Sequence, residues 1–124
     1  MTIANWMLLL AAFLPIVIAG IGKRGAADYD NATPREWAER QTGWRARAIA
    51  AQKNQFEVYP PFAAAVLVAE YAHAPQARID ALAVVFVGAR IIYTAAYLSD
   101  RATLRSAVWA AGFACVVWLF VLPV

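Results

Sequence analysis

Nineteen consecutive residues, Ile3 to Ile21, carry no charged side chain. That run limits the possible folds severely, because an α-helix needs about 20 apolar residues to cross the hydrocarbon core of a bilayer. The far end of the chain repeats the pattern: Leu104 to Val124 holds one charge, Arg105, near its start. Hydrophobic residues make up 63% of the 124 and charged ones only 15%, with a mean hydropathy of +0.55. A water-soluble globular domain fits these values badly. The expected fold is all-α, an integral membrane four-helix bundle in one domain over 1–124, with spans at about 3–22, 48–71, 77–98 and 103–123. No internal repeat is evident.

The first span differs from a secretory signal peptide. It lacks a basic leading segment, its apolar run is too long, and Lys23 and Arg24 follow it. A retained helix is expected. Orientation then follows from Lys and Arg in the loops. The first loop, about 23–47, carries Lys23, Arg24, Arg35, Arg40, Arg45 and Arg47, and the third carries Arg101. The second carries Arg78 alone. Loops one and three should face the cytoplasm, with both termini on the other side. Anionic lipid headgroups account for the net charge of +3, so nucleic acid is not needed as a partner. No phosphate-cradling glycine loop or metal-ligand spacing is present. Cys115, the only cysteine, excludes an intrachain disulfide and reads as a packing residue in the fourth span. His73, the only histidine, reads as a solvated loop residue.

Within the first loop, Thr33-Pro34-Arg35-Glu36 predicts a short helix to about Gln41, with a threonine N-cap, proline at the first helical position and glutamate closing a capping box. Gly43 should stop it, and a new helix should start near Trp44. Pro60-Pro61 should kink the second span. Ala107, Ala110, Ala111 and Ala114 form a small-residue face on the fourth, suited to close helix contact.

Polar side chains inside the spans are the functional signal, since an unpaired ionisable group in hydrocarbon costs roughly 3 kcal/mol or more. Lys53, Asn54 and Glu57 occupy about a 100° arc of the second span. They form either a self-neutralised Lys53–Glu57 pair at a helix seam or part of a ligand site. Arg90, Tyr93, Thr94 and Tyr97 share one face of the third, about 10 Å long. Either Arg90 satisfies Glu57 and the tyrosines anchor the interface, or the stripe holds an extended polar ligand. Arg105 and Ser106 open the fourth span, where a cation opposes the helix dipole; a headgroup phosphate, a bound anion or a thiolate is the expected reason. The alternation of spans brings all three clusters to one face.

The same residues carry a family resemblance. The run from Arg47 to Glu57, with Lys53-Asn54-Gln55-Phe56-Glu57 and then Pro61-Phe62, resembles the signature of the MAPEG family, membrane-associated proteins of eicosanoid and glutathione metabolism. Arg90 to Leu98, then Leu104-Arg105-Ser106, is similar to the third- and fourth-helix segments of prostaglandin E synthase and microsomal glutathione transferases. Asn31 to Trp37 with Gly43 resembles the first loop of short bacterial members, which implies a bacterial inner membrane.

The resemblance implies a homotrimer of four-helix protomers, with glutathione between subunits near the cytoplasmic face. Lys53, Asn54, Glu57, Arg90, Tyr93 and Tyr97 would then contact the tripeptide, with Thr94 on the same stripe. Arg105, with Ser106, would stabilise its thiolate, because a nearby arginine lowers a thiol pKa below about 8.5. The implied activity is a glutathione-dependent transferase or peroxidase acting on lipophilic electrophiles that arrive through the membrane lipid. Lys53 stands where better-known members have arginine, and Gln52 and Tyr93 where some have histidine. The alternative is a non-catalytic trimeric membrane protein that binds lipid or a partner.

Overall fold

The computed structural model describes residues 1–123, all of whose regular structure is helical. Four long helices, α1 (Ile3–Lys23), α3 (Gly43–Tyr71), α4 (Gln76–Leu98) and α5 (Ala102–Val121), are joined by short turns and one longer loop. That loop carries the six-residue α2 (Pro34–Glu39). Helix α1 packs on α3 and α4, α5 packs on the same two from elsewhere, and α2 touches α3.

Three helices, α1, α4 and α5, are long and apolar enough to cross a membrane. The remaining expected span, helix α3, falls outside that class among the described residues. Its 29 residues suffice in length, but Arg45, Arg47, Lys53, Glu57 and Glu70 make it too polar for that class. It has contacts with every other helix, so neighbouring side chains cover part of a segment that hydrocarbon alone would not accept.

Packing relies on small residues. Ala4, Ala65, Ala69 and Ala83 are fully buried and let backbones approach closely, which is how helices gain contact where water supplies no driving force. Phe62 of α3 stacks on Phe86 of α4, ring centroids 3.8 Å apart. From α5, Cys115, Val116 and Leu119 close this core. The expected alanine face of α5 makes no close helix contact within the described residues of the chain. Ala107, Ala110, Ala111 and Ala114 are all exposed, while Gly112, Cys115, Val116 and Leu119 face the rest of the chain. Within one chain the small-residue face has nothing against it.

Helix α3 runs through Pro60 and Pro61 without interruption. Proline has no N–H, so the carbonyls of Phe56 and Glu57 lose their usual partners four residues on. The polar region therefore lies on a turn where two helical carbonyls lack their usual i+4 donors.

Capping departs from expectation. Thr33 makes no side-chain cap, and its ψ of 59° is not the extended conformation that capping requires. Helix α2 ends at Glu39, before the expected Gln41, and Gly43 (φ 63°) opens α3 instead of only stopping α2. The capping box forms at Thr2 and Asn5, on an extended Thr2 (φ −80°, ψ 167°).

Both ends of the bundle are tied by polar contacts. At one, Glu70 of α3 accepts from Thr2 Oγ1 at 2.8 Å, Asn5 Nδ2 at 3.0 Å and Gln76 Nε2 at 3.2 Å. Asp80 of α4 accepts from the Ala4 backbone N–H and from Gln76 Nε2, both at 2.9 Å. At the other, Arg47 donates through Nε and Nη2 to the Leu98 carbonyl, each at 3.3 Å. A cation there also suits the C-terminal pole of α4. The start of α3 and the end of α4 therefore lie together, with α5 beginning alongside.

Candidate functional site at the Arg47 end

Arg90 is the centre of the polar region and is 2% exposed. A guanidinium that deep needs partners, and α3 supplies them. Its Nε donates to Gln55 Oε1 at 2.9 Å, and Nη2 donates to Asn54 Oδ1 at 2.6 Å. Asn54 passes the connection on, its Nδ2 donating to Glu57 Oε2 at 3.0 Å. Arg90 and Glu57 are thus linked through one carboxamide and not by a direct ion pair. Lys53 and Glu57 do not pair either, because Lys53 faces a different groove.

The α4 stripe continues the array. The Arg90 guanidinium lies 4.0 Å from the Tyr93 ring centroid, and Tyr93 meets Tyr97 edge-on at 5.7 Å. Arg105 of α5 lies 4.4 Å from the Tyr97 ring. Cations over aromatic faces contribute roughly 0.5–2 kcal/mol each, more when desolvated. Contacts therefore run without a break from Glu57 through Asn54, Arg90, Tyr93 and Tyr97 to Arg105. Thr94 is turned inward, accepting from Gln55 Nε2 at 3.1 Å and donating to the Arg90 carbonyl at 3.0 Å. Ser106 is exposed and lies outside this array.

Gln55 is the residue that sequence spacing passed over. It is 3% exposed and holds Arg90 from both sides, accepting from Nε and donating to the Arg90 carbonyl at 3.3 Å. A glutamine flanked by Asn54 and Phe56 within the second span was the available signal, since a buried amide requires partners on both its ends.

Two openings flank α3. One, of about 200 Å³, lies between α3, α4 and α5, with Asn54, Glu57 and Arg90 at its polar end. Phe86, Trp109 and Phe113 form much of its apolar wall, the last two stacked at 5.3 Å. The other, of about 370 Å³, lies between α1, α2 and α3 and is lined by Lys23, Arg35, Gln52 and Lys53 along with Trp37 and Phe56. Lys53 and Glu57 are exposed between the two openings. The arrangement offers cations on one side, a carboxylate in the middle and a buried arginine on the other.

The MAPEG family model matches residues 3–124, which takes in every one of these side chains. The chain belongs to the MAPEG family. With its three membrane-capable helices, this MAPEG protein is an integral membrane protein. No curated protein and no solved structure matches it.

Proposed function

We propose that this MAPEG protein is a membrane-embedded, glutathione-dependent transferase or peroxidase acting on lipophilic electrophiles. The observation that carries the reading is the unbroken run of contacts from Glu57 to Arg105, which joins polar residues of three helices at one end of the bundle. Glutathione has two carboxylates, one ammonium and a thiol. Lys53 and the cations beside it match the carboxylates, and the exposed Glu57 matches the ammonium. Asn54 and Tyr97 supply further hydrogen bonds. Arg90, Tyr93 and Thr94 are so enclosed that they hold the site's shape and electrostatics more than its surface. Arg105 favours the thiolate over the thiol, raising the fraction of nucleophile, with the Ser106 hydroxyl as a neighbouring donor.

The protomer is a four-helix bundle that works as a homotrimer. Two features support this reading: Lys53 and Glu57 are uncovered by their own chain, and the alanine face of α5 has no partner within it. A neighbouring copy would supply the missing wall. The site faces the cytoplasm of a bacterial inner membrane, in keeping with the basic loops at that end, so both termini lie outside. Glutathione arrives from the cytoplasm and the electrophile from the bilayer.

The test is turnover of 1-chloro-2,4-dinitrobenzene or a lipid hydroperoxide with glutathione by purified protein, alongside Arg105→Ala. Loss of at least about tenfold in kcat, equivalent to about 1.4 kcal/mol of barrier, is expected from the variant. Equal rates would remove Arg105 from the mechanism. The second reading, a non-catalytic binder of lipid or a partner, rests on Lys53, Gln52 and Tyr93 standing where other members carry arginine or histidine. Calorimetry separates the two: no heat with millimolar glutathione on an intact oligomer favours the binder.

A further inference from the structure

At the end of the bundle away from the Arg90 array, the start of α4 stands between two open grooves. One, of about 250 Å³, lies between α4 and α5, with Arg78 at its polar end and Leu82, Trp118 and Leu122 on its walls. The other, of about 520 Å³, lies between α1 and α4, with Asp80 as its charged residue and Ile3, Val84 and Val85 on its walls. Ala81 lines both and forms a low ridge between them. Each groove thus joins one charge to an apolar wall, and the two charges are opposite in sign. Neither charge is matched by its recorded contacts. Asp80 and Glu70 accept from the same Gln76 amide. Their other donors are the Thr2 hydroxyl, the Asn5 amide and the Ala4 backbone N–H, all neutral. Arg78 is exposed in the first turn of α4, where a cation opposes the helix dipole. Pro75, just before that turn, supplies no side-chain cap. A phosphate over this turn would answer both the arginine and the uncapped backbone N–H groups.

We propose that the start of α4 binds one two-chain phospholipid whose head carries a phosphate and a primary ammonium. The phosphate accepts from Arg78 and the first-turn N–H groups, and the ammonium, two carbons away, donates to Asp80. Arg78 and Asp80 are separated by only about 3 Å along the helix axis, so one small head reaches both. One acyl chain follows each groove, and Ala81 is small enough for the glycerol to cross between them. Charge and donor count select this head. A phosphate without an ammonium leaves Asp80 facing a like charge. A trimethylated ammonium brings the charge but no N–H for the carboxylate. A single-chain amphiphile fills one groove and leaves the other. The proposal uses no residue of the array from Glu57 to Arg105 and does not require glutathione.

The experiment uses the full chain in phosphatidylcholine nanodiscs at neutral pH without glutathione. The probe is phosphatidylethanolamine with a diazirine on one acyl chain, and labelled residues are located by mass spectrometry after photolysis. Saturable labelling of Leu82, Val84, Val85 or Trp118 is expected. Unlabelled phosphatidylethanolamine should compete about tenfold better than phosphatidylglycerol, a difference of about 1.4 kcal/mol. Asp80→Asn keeps an acceptor for Ala4 and Gln76 but removes the charge, so the two lipids should then compete equally. Arg78→Gln should raise the half-saturating probe fraction by about tenfold. Ala81→Phe, which raises the ridge, should end labelling in both grooves with helix content unchanged by circular dichroism. Labelling that never saturates and covers Phe13 and Ile16 of α1 equally overturns the proposal. So does phosphatidylglycerol that competes equally on wild type, or a preference that survives Asp80→Asn. Disulfide formation between copies of Ala81→Cys would put a second subunit on this face and overturn it too. Calorimetry on the same preparation keeps the readings apart. Silence toward glutathione with labelling intact removes the glutathione proposal alone, and heat with unsaturable labelling removes this one alone.

Discussion

Arg90 shows how one side chain organises a region of membrane protein. Its charge would be prohibitive in hydrocarbon, and Asn54 and Gln55 of α3 accommodate it. Gln55 does most of this, since its amide grips Arg90 from two directions and also reaches Thr94. Gln55→Leu keeps the volume and removes the partners. It should destabilise the protein by about 1–3 kcal/mol, the usual consequence of a buried donor left unsatisfied. The readout is a lower midpoint of thermal unfolding in detergent, and Gln55→Glu, which keeps the acceptor for Nε, should lose less. Asn54, Glu57 and Arg90 were legible in the sequence because charged and amide groups stand out in an apolar span. Gln55 was hidden because its role depends on which face α4 covers, and spacing along α3 alone does not fix that. The same reason explains Lys53 and Glu57: four residues apart, they are placed to pair, but Asn54 claims the carboxylate and the lysine turns to the basic groove.

Among the elements, α3 and α5 depart most from their sequence patterns. The polar tie at the distal end of α3 was not foreseen, since Thr2, Asn5, Glu70, Gln76 and Asp80 are scattered along the chain and only the fold collects them. Glu70→Ala removes four acceptor contacts, to Thr2, Asn5 (twice) and Gln76. At about 0.6 kcal/mol for each hydrogen bond within a membrane protein, the loss is roughly 2 kcal/mol. Faster hydrogen exchange in the first turns of α1, with α5 unaffected, is the signature to look for. For α5, periodicity identified the alanine face correctly but not what it meets. Ala111→Leu leaves the buried side of α5 untouched, so helix content should persist by circular dichroism while the proposed trimer dissociates in cross-linking or native mass measurements. A trimer that survives the substitution means that the subunits associate through another face. Helix bounds were read to within a few residues for the long helices, because hydrophobic length sets them. Capping was misplaced because Thr33-Pro34-Arg35-Glu36 has the residue types of a capping box, but the backbone at Thr33 is not in the extended conformation that a cap requires.

At the scale of the molecule, four long helices hold a polar array at one end, an apolar middle and a second polar tie at the other end. The array is built within one chain, but its most accessible members, Lys53 and Glu57, look outward. If a trimer completes the site, glutathione binding and assembly are linked. Millimolar glutathione should then lower the protein concentration at which the trimer dissociates, so that the oligomer persists at dilutions where the free protein falls apart, as read by mass photometry in detergent. No shift with glutathione, in a protein that binds it by calorimetry, places the site within a single subunit.

The tie at Thr2 and Asn5 also sets an order of events during synthesis. The groups that satisfy Thr2, Ala4 and Asn5 are 65 to 76 positions further along the chain, so α1 leaves the ribosome well before its partners exist. Contacts so distant in sequence form late, because the intervening loop must first be brought together. The leading helix therefore waits in the bilayer with its polar turn near the headgroups, and the arrival of α4 closes the bundle behind it.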